Sequence, residues 1–96
     1  MPIKRIVIDV LIPHNLDVMD FAEKMAEVDE VDGANVHVLE VDEKTKTIEL
    51  TIEGKALSFE PIKKVIEGLG GSVHSVDMVS AGSKLVDSGV TSWEEE

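Results

Sequence analysis

The sequence contains no cysteine and no tyrosine, and it is poor in aromatic residues generally. Without cysteine the chain cannot form a disulfide, a thiolate zinc site or a thiol nucleophile. Phe21, Phe59 and Trp93 are the aromatic residues, so an aliphatic core is expected. No apolar run approaches the ~18–20 residues of a membrane-spanning helix. The first residues enter a strand-like pattern that does not resemble a signal peptide, which predicts a cytoplasmic protein.

Basic residues are scarce as well. Nine Lys and Arg face twenty Asp and Glu, which gives a formal net charge of −11. Phosphate backbones and anionic membranes are bound chiefly through Lys and Arg, so neither nucleic acid nor a membrane is an expected partner. Cations are the charged ligands that this composition favours, although acidity also serves solubility.

Alternating apolar and polar residues predict strands over residues 3–12 and 47–53, and the apolar residues of 34–42 and 72–80 predict two more. In the first strand Ile6, Ile8, Val10 and Ile12 share one face. The third strand alternates just as clearly, with Ile48, Leu50 and Ile52 on its apolar face. The second strand has no clean alternation, so its register stays open and a bulge is one solution.

Helical spacing of apolar residues predicts two helices. Asp17 is the expected N-cap of the first, whose apolar stripe includes Phe21 and Met25. Ser58 is the expected N-cap of the second, and Gly70 and Gly71 are expected to end it.

The element order is therefore strand, helix, strand, strand, helix, strand. Right-handed crossovers and an antiparallel central hairpin lead to an α+β fold, the ferredoxin-like split βαβ arrangement (βαββαβ). The four-stranded antiparallel sheet has the predicted order 4-1-3-2, with both helices on one face. Residues 1–80 form this domain. Residues 81–96 are predicted to be a C-terminal arm, either flexible or docked on a neighbouring subunit, because they offer few apolar anchors.

One end of the sheet is predicted to collect metal-ligating residues. We expect the ends of strands 1 and 3 and the starts of strands 2 and 4 to share one edge, with the 42–47 turn at the opposite edge. His14, His74 and Asp32 would then converge as a weak divalent-metal site, or else be solvent-facing polar residues. The acidic run around Gly33 does not fit a calcium loop, since Val28 and Leu39 fall at ligand positions of the EF-hand pattern.

The sheet face away from the helices has a mixed character. Asp9 and Asp77 are expected on adjacent strands, joined by Glu49 or Glu53, where they could bind calcium or magnesium or serve acid–base catalysis. The same face carries Val7 and Leu11, which makes a protein interface at least as well supported, and a solvated surface is a third interpretation. No paired nucleophile and base accompanies the carboxylates, so the sequence favours a non-enzymatic protein.

Several short motifs stand out along the chain: Pro13-His14, Gly33 to Asp42, Ile52-Glu53-Gly54 and the run from Gly70 to Asp77. In their order and spacing they resemble an archaeal family of small proteins known as a domain of unknown function. The resemblance extends over essentially the whole chain. It implies a ferredoxin-like fold, a cytoplasmic archaeal setting and closed ring-like homo-oligomers, with no established activity.

Three functional hypotheses follow. The first is a non-enzymatic binding or regulatory module that forms a cyclic homo-oligomer. The second is a divalent-cation-binding protein of the calcium type that uses acidic surface residues. The third is a metal-dependent enzyme. The candidate metal ligands are Asp9, Asp77, His14, His74 and Asp32, and the candidate interface residues are Val7, Leu11, Leu85, Val86 and Trp93.

Overall fold

The computed structural model describes residues 2–86. Its elements are β1 (Ile3–Pro13), α1 (Val18–Ala26), β2 (Gly33–Val41), β3 (Thr45–Glu53), α2 (Phe59–Gly68) and β4 (Ser72–Ala81). All neighbouring strands are antiparallel and lie in the order β2-β3-β1-β4. Read from the β4 edge, this order is β4-β1-β3-β2, which confirms the predicted α+β, ferredoxin-like arrangement.

The core lies between the sheet and the two helices. Alternate residues of β1 and β3 point to the helix side and are buried together, namely Ile6, Ile8, Val10 and Ile12 of β1 and Ile48, Leu50 and Ile52 of β3. Phe21 and Met25 of α1 and Ile62 and Ile66 of α2 join the same cluster, so both helices cover one face of the sheet. We call this the helix face and the other the open face.

Local sequence signals fix the helix ends. The Asp17 side chain accepts a hydrogen bond of 2.7 Å from the Met19 N–H, as its predicted N-cap role requires. Ser58 occupies the N-cap position of α2 without a side-chain hydrogen bond. At the other end, Gly70 adopts a left-handed φ of 93°. Gly70 and Gly71 donate to the carbonyls of Glu67 and Ile66, a Schellman ending that stops α2 before β4.

Both edge strands contain irregularities. In β2 the register shifts between Val38 and Glu40, which confirms that a bulge resolves the mixed pattern of this strand. In β4 two shifts leave His74 and Asp77 as extra residues, without a Cα partner on β1.

The described helices contain 9 and 10 residues. Neither is long and apolar enough to cross a membrane.

Candidate functional site

Strand direction decides which polar residues share an end of the sheet. Pro13 pairs with Thr45 and Leu11 with Ser72, so the end of β1 lies beside the starts of β3 and β4. His14, His74 and the 42–46 turn therefore share one end. Gly33 pairs with Glu53, which places Asp32 at the opposite end.

The predicted grouping of strand ends is thus wrong. In an antiparallel sheet the end of each strand meets the start of its neighbour, so β1 cannot finish beside the finish of β3. His14 and His74 do lie at the same end, as expected, but Asp32 does not join them. The turn after β2, expected at the far edge, lies beside His14.

His14 has a defined structural contact at this end. Its Nδ1 lies 2.6 Å from the Asp42 carbonyl oxygen, and its backbone N–H donates to the Lys44 carbonyl at 2.9 Å. Because a carbonyl only accepts, Nδ1 carries the proton. The imidazole therefore links the end of β1 to the β2–β3 turn.

The open face carries a polar row across the middle of the sheet. Asp9 pairs with Glu49 on one side and with Ser75 on the other, and Glu49 pairs with His37. Asp77 lies two residues further along β4, where its Oδ1 accepts a 2.7 Å hydrogen bond from the Ser75 hydroxyl. Of the two glutamates proposed to join Asp9, Glu49 is the one at its register.

Glu53 has a different partner. It accepts a hydrogen bond of 2.8 Å from Arg5 Nε, and Arg5 Nη2 lies 2.8 Å from the same carboxylate oxygen. Arg5 and Glu53 face each other at one register position of β1 and β3. The register therefore places Glu53 beside Arg5 and away from Asp9.

Asp9 has an unusual environment for a carboxylate. Its Oδ1 is shielded from solvent and has no hydrogen-bond partner. Asp9 also lines a concave site of about 340 Å³ at the His14 end of the open face. The other lining residues combine hydroxyl, imidazole and aliphatic groups, and are Leu11, Thr47, Ser72, Val73 and His74. We call this the Asp9 cavity.

The predicted metal ligands form no group of three in the part of the chain that the structure describes. Among residues 2–86, no three His, Asp or Glu side chains form a group that could hold a metal ion. Asp32 instead lines a separate concave site of about 250 Å³ with Asn35, Thr51 and Glu53. Sequence reasoning missed Thr47 and Ser72, because hydroxyl residues in strands carry no signal until the register is known.

The predicted interface residues differ in their exposure. Val7 is only 9% exposed within the single chain, whereas Leu11, Leu85 and Val86 are exposed. Trp93 lies outside the described residues.

Other apolar side chains are more prominent at the edges of the sheet. Val38 and Val41 on β2 and Val76 and Val79 on β4 are all exposed. By register they lie on the helix face, since Val38 pairs with buried Ile48 and Val76 with buried Ile8. The sheet therefore extends beyond its helices on both sides, and we call these four valines the edge valines.

Comparison with known proteins places the chain in a family. Residues 4–95 match the model of DUF211, described as an uncharacterized ArCR. An uncharacterized protein of the archaeon Methanocaldococcus jannaschii is 44% identical over 85 residues, which cover 88% of this chain and 88% of the relative. The chain belongs to the DUF211 family, an archaeal domain of unknown function.

Proposed function

We propose that the protein is a non-enzymatic binding or regulatory module whose copies assemble into a closed ring through the two outer strands of the sheet. The observation that carries the proposal is the exposure of the edge valines on both β2 and β4. Apolar side chains beside unpaired strand edges are a natural surface for self-association, because contact removes them from water.

Strand direction makes the two edges compatible. β1 and β2 run one way, and β3 and β4 run the other way, as the antiparallel pairings require. When copies are related by rotation about an axis roughly parallel to the strands, β2 of one copy therefore meets β4 of the next in antiparallel orientation. Such a contact joins two different surfaces, so it repeats head to tail and forms a closed ring when the rotation between copies divides a full turn evenly.

The contact we propose depends on side-chain packing more than on an extended hydrogen-bond ladder. The bulges at His74 and Asp77 interrupt the regular spacing along β4. The edge valines lie on the helix face, where neighbouring copies can pack them together beside the helices. We propose in addition that the protein is cytoplasmic, as the family resemblance implies.

Replacing Val76 with aspartate tests this contact. A carboxylate in the middle of an apolar contact loses hydration without gaining a partner, so Val76→Asp should shift the chain from oligomer to monomer. Light scattering coupled to size-exclusion chromatography measures the molar mass. Met19→Asp is the matched control, since Met19 is 72% exposed on α1 and gains the same charge. The proposal fails if the unaltered chain is a monomer at every concentration, or if both variants behave alike.

Ionic strength provides a second test. Each copy carries a formal charge of −11, so assembly brings like charges together. From about 0.01 M to about 0.15 M salt, the Debye length falls from about 30 Å to about 8 Å, which weakens this repulsion. Sedimentation velocity should show a larger assembled fraction at the higher salt concentration. A smaller assembled fraction would mean that ion pairs, and not apolar contacts, hold the copies together.

A further inference from the structure

We infer that the Asp9 cavity is a binding site for an aliphatic ammonium compound without a carboxylate, of the short diamine or polyamine class. This binding site is independent of the proposed assembly. It lies on the open face, whereas the proposed ring contact is formed by the edge valines of the helix face. Three features carry it: the shape of the site, the unpartnered Asp9 oxygen and the mixture of lining groups.

The bulge at His74 accounts for the concave shape. Ser75 pairs with Asp9 and Val73 with Val10, so His74 is the extra residue between two register positions. A bulge interrupts the ladder and redirects the side chains around it. His74, Ser72 and Asp9 consequently line one cavity, whose volume of about 340 Å³ suits a small ligand.

The charge around the cavity selects a cation. Asp9 Oδ1 is shielded from solvent and has no hydrogen-bond donor, so this oxygen of a partly exposed side chain lacks a stabilising partner. Glu49 occupies the neighbouring register position and adds a second acidic residue. A positive charge in the cavity would lower the electrostatic energy of both, whereas a ligand carboxylate would raise it.

The lining groups favour an ammonium ion over a metal ion. Within the described residues no three His, Asp or Glu side chains come together as metal ligands. An ammonium has three N–H donors, and the Asp9 carboxylate, the Thr47 and Ser72 hydroxyls and an imidazole nitrogen of His74 can accept them. Leu11, which lies on the open face, supplies the aliphatic contact that a carbon chain requires.

Titration with 1,4-diaminobutane and spermidine tests the site. Calorimetry of the full chain should show saturable binding with one ligand per subunit. Amide chemical shifts should change chiefly at Leu11, Thr47 and residues 72–75.

Two further ligands separate the alternatives. 4-Aminobutyrate should bind more weakly because of its carboxylate, and calcium chloride should not reproduce the shifts. Non-saturable amine binding, or calcium producing the same one-to-one response, would overturn the inference.

A charge-matched pair of variants locates the site. Asp9→Asn keeps the size of the side chain and should weaken binding by about tenfold or more, as loss of a charged hydrogen bond implies. Asp32→Asn removes the same charge at the opposite end of the sheet and should leave binding nearly unchanged. His74→Ala, at an exposed position, should cost about threefold to tenfold, as for one neutral hydrogen bond. Equal losses from Asp9→Asn and Asp32→Asn would show only general charge attraction and would refute the site.

Discussion

Phe21→Ala should lower the free energy of unfolding by about 3–5 kcal/mol, as is typical when a buried aromatic ring is deleted. Phe21 is completely buried and belongs to the cluster that joins α1 to the sheet and to α2. Its neighbours are mainly aliphatic side chains fixed on β1 and β3, which cannot move inward far enough to fill the space. The variant therefore loses both the burial of the ring and the contacts around it.

Chemical denaturation monitored by circular dichroism measures this effect. Met19→Ala serves as the control on the same helix, because its exposed side chain should change stability by no more than about 0.5 kcal/mol. Both variants should be compared at one protein concentration, since association would add to the apparent stability. A loss below about 1 kcal/mol for Phe21→Ala would contradict the central position of this ring in the core.

Much of the fold can be predicted because several sequence signals agree. The alternation of Ile6 to Ile12 and of Ile48 to Ile52 identifies two half-buried strands. The apolar stripes around Phe21 and Ile62 identify the helices that cover them. Once the element order is known, chain connectivity permits few arrangements, and the observed strand order is the one it favours.

The edge strands are less predictable because one or both of their faces remain in contact with water. Val38, Leu39 and Val41 are all exposed, so burial does not impose a simple period on β2. The extra residues His74 and Asp77 depend on how β4 follows the twist of β1, which no local pattern encodes. The exposure of the edge valines also cannot be predicted from the sequence, because the sequence does not show that the helix layer is narrower than the sheet.

The candidate site illustrates the same limit. Asp9 is identifiable from the sequence as a charged residue on a largely apolar strand, and the register then brings Glu49 beside it. The predicted association of Asp32 with His14 is wrong because it conflicts with the antiparallel strand order that the sequence itself predicts, in which the end of β1 lies beside the start of β3 and away from Asp32. The Asp9 cavity depends on a bulge and on hydroxyl residues from two other strands, so only the three-dimensional structure reveals it.

Gly54→Ala should lower the free energy of unfolding by about 2–3 kcal/mol, within the range for overpacking a well-packed site. A methyl group at this position would overlap the Glu30 carbonyl oxygen and would lie 2.7 Å from Leu57 Cδ2. The carbonyl cannot withdraw easily, because Asp32 N–H donates to the Glu53 carbonyl at 2.8 Å and fixes the adjoining chain. Glu30 itself has a φ of 74°, a left-handed conformation that limits how its backbone can adjust.

Gly54 is also held on its other side, since its N–H donates to the Lys4 carbonyl at 3.1 Å. The added methyl group must therefore separate the segment after α1 from the end of β3, or weaken the contact between β3 and β1. Gly68→Ala is the matched control, because Gly68 is exposed, ends α2 and has no atom within 4 Å of an added Cβ. Thermal denaturation should show Gly68→Ala raising stability by up to about 1 kcal/mol, since alanine favours a helix over glycine. If both substitutions raised the stability, the close approach of Gly54 to Glu30 would not be a constraint on the fold.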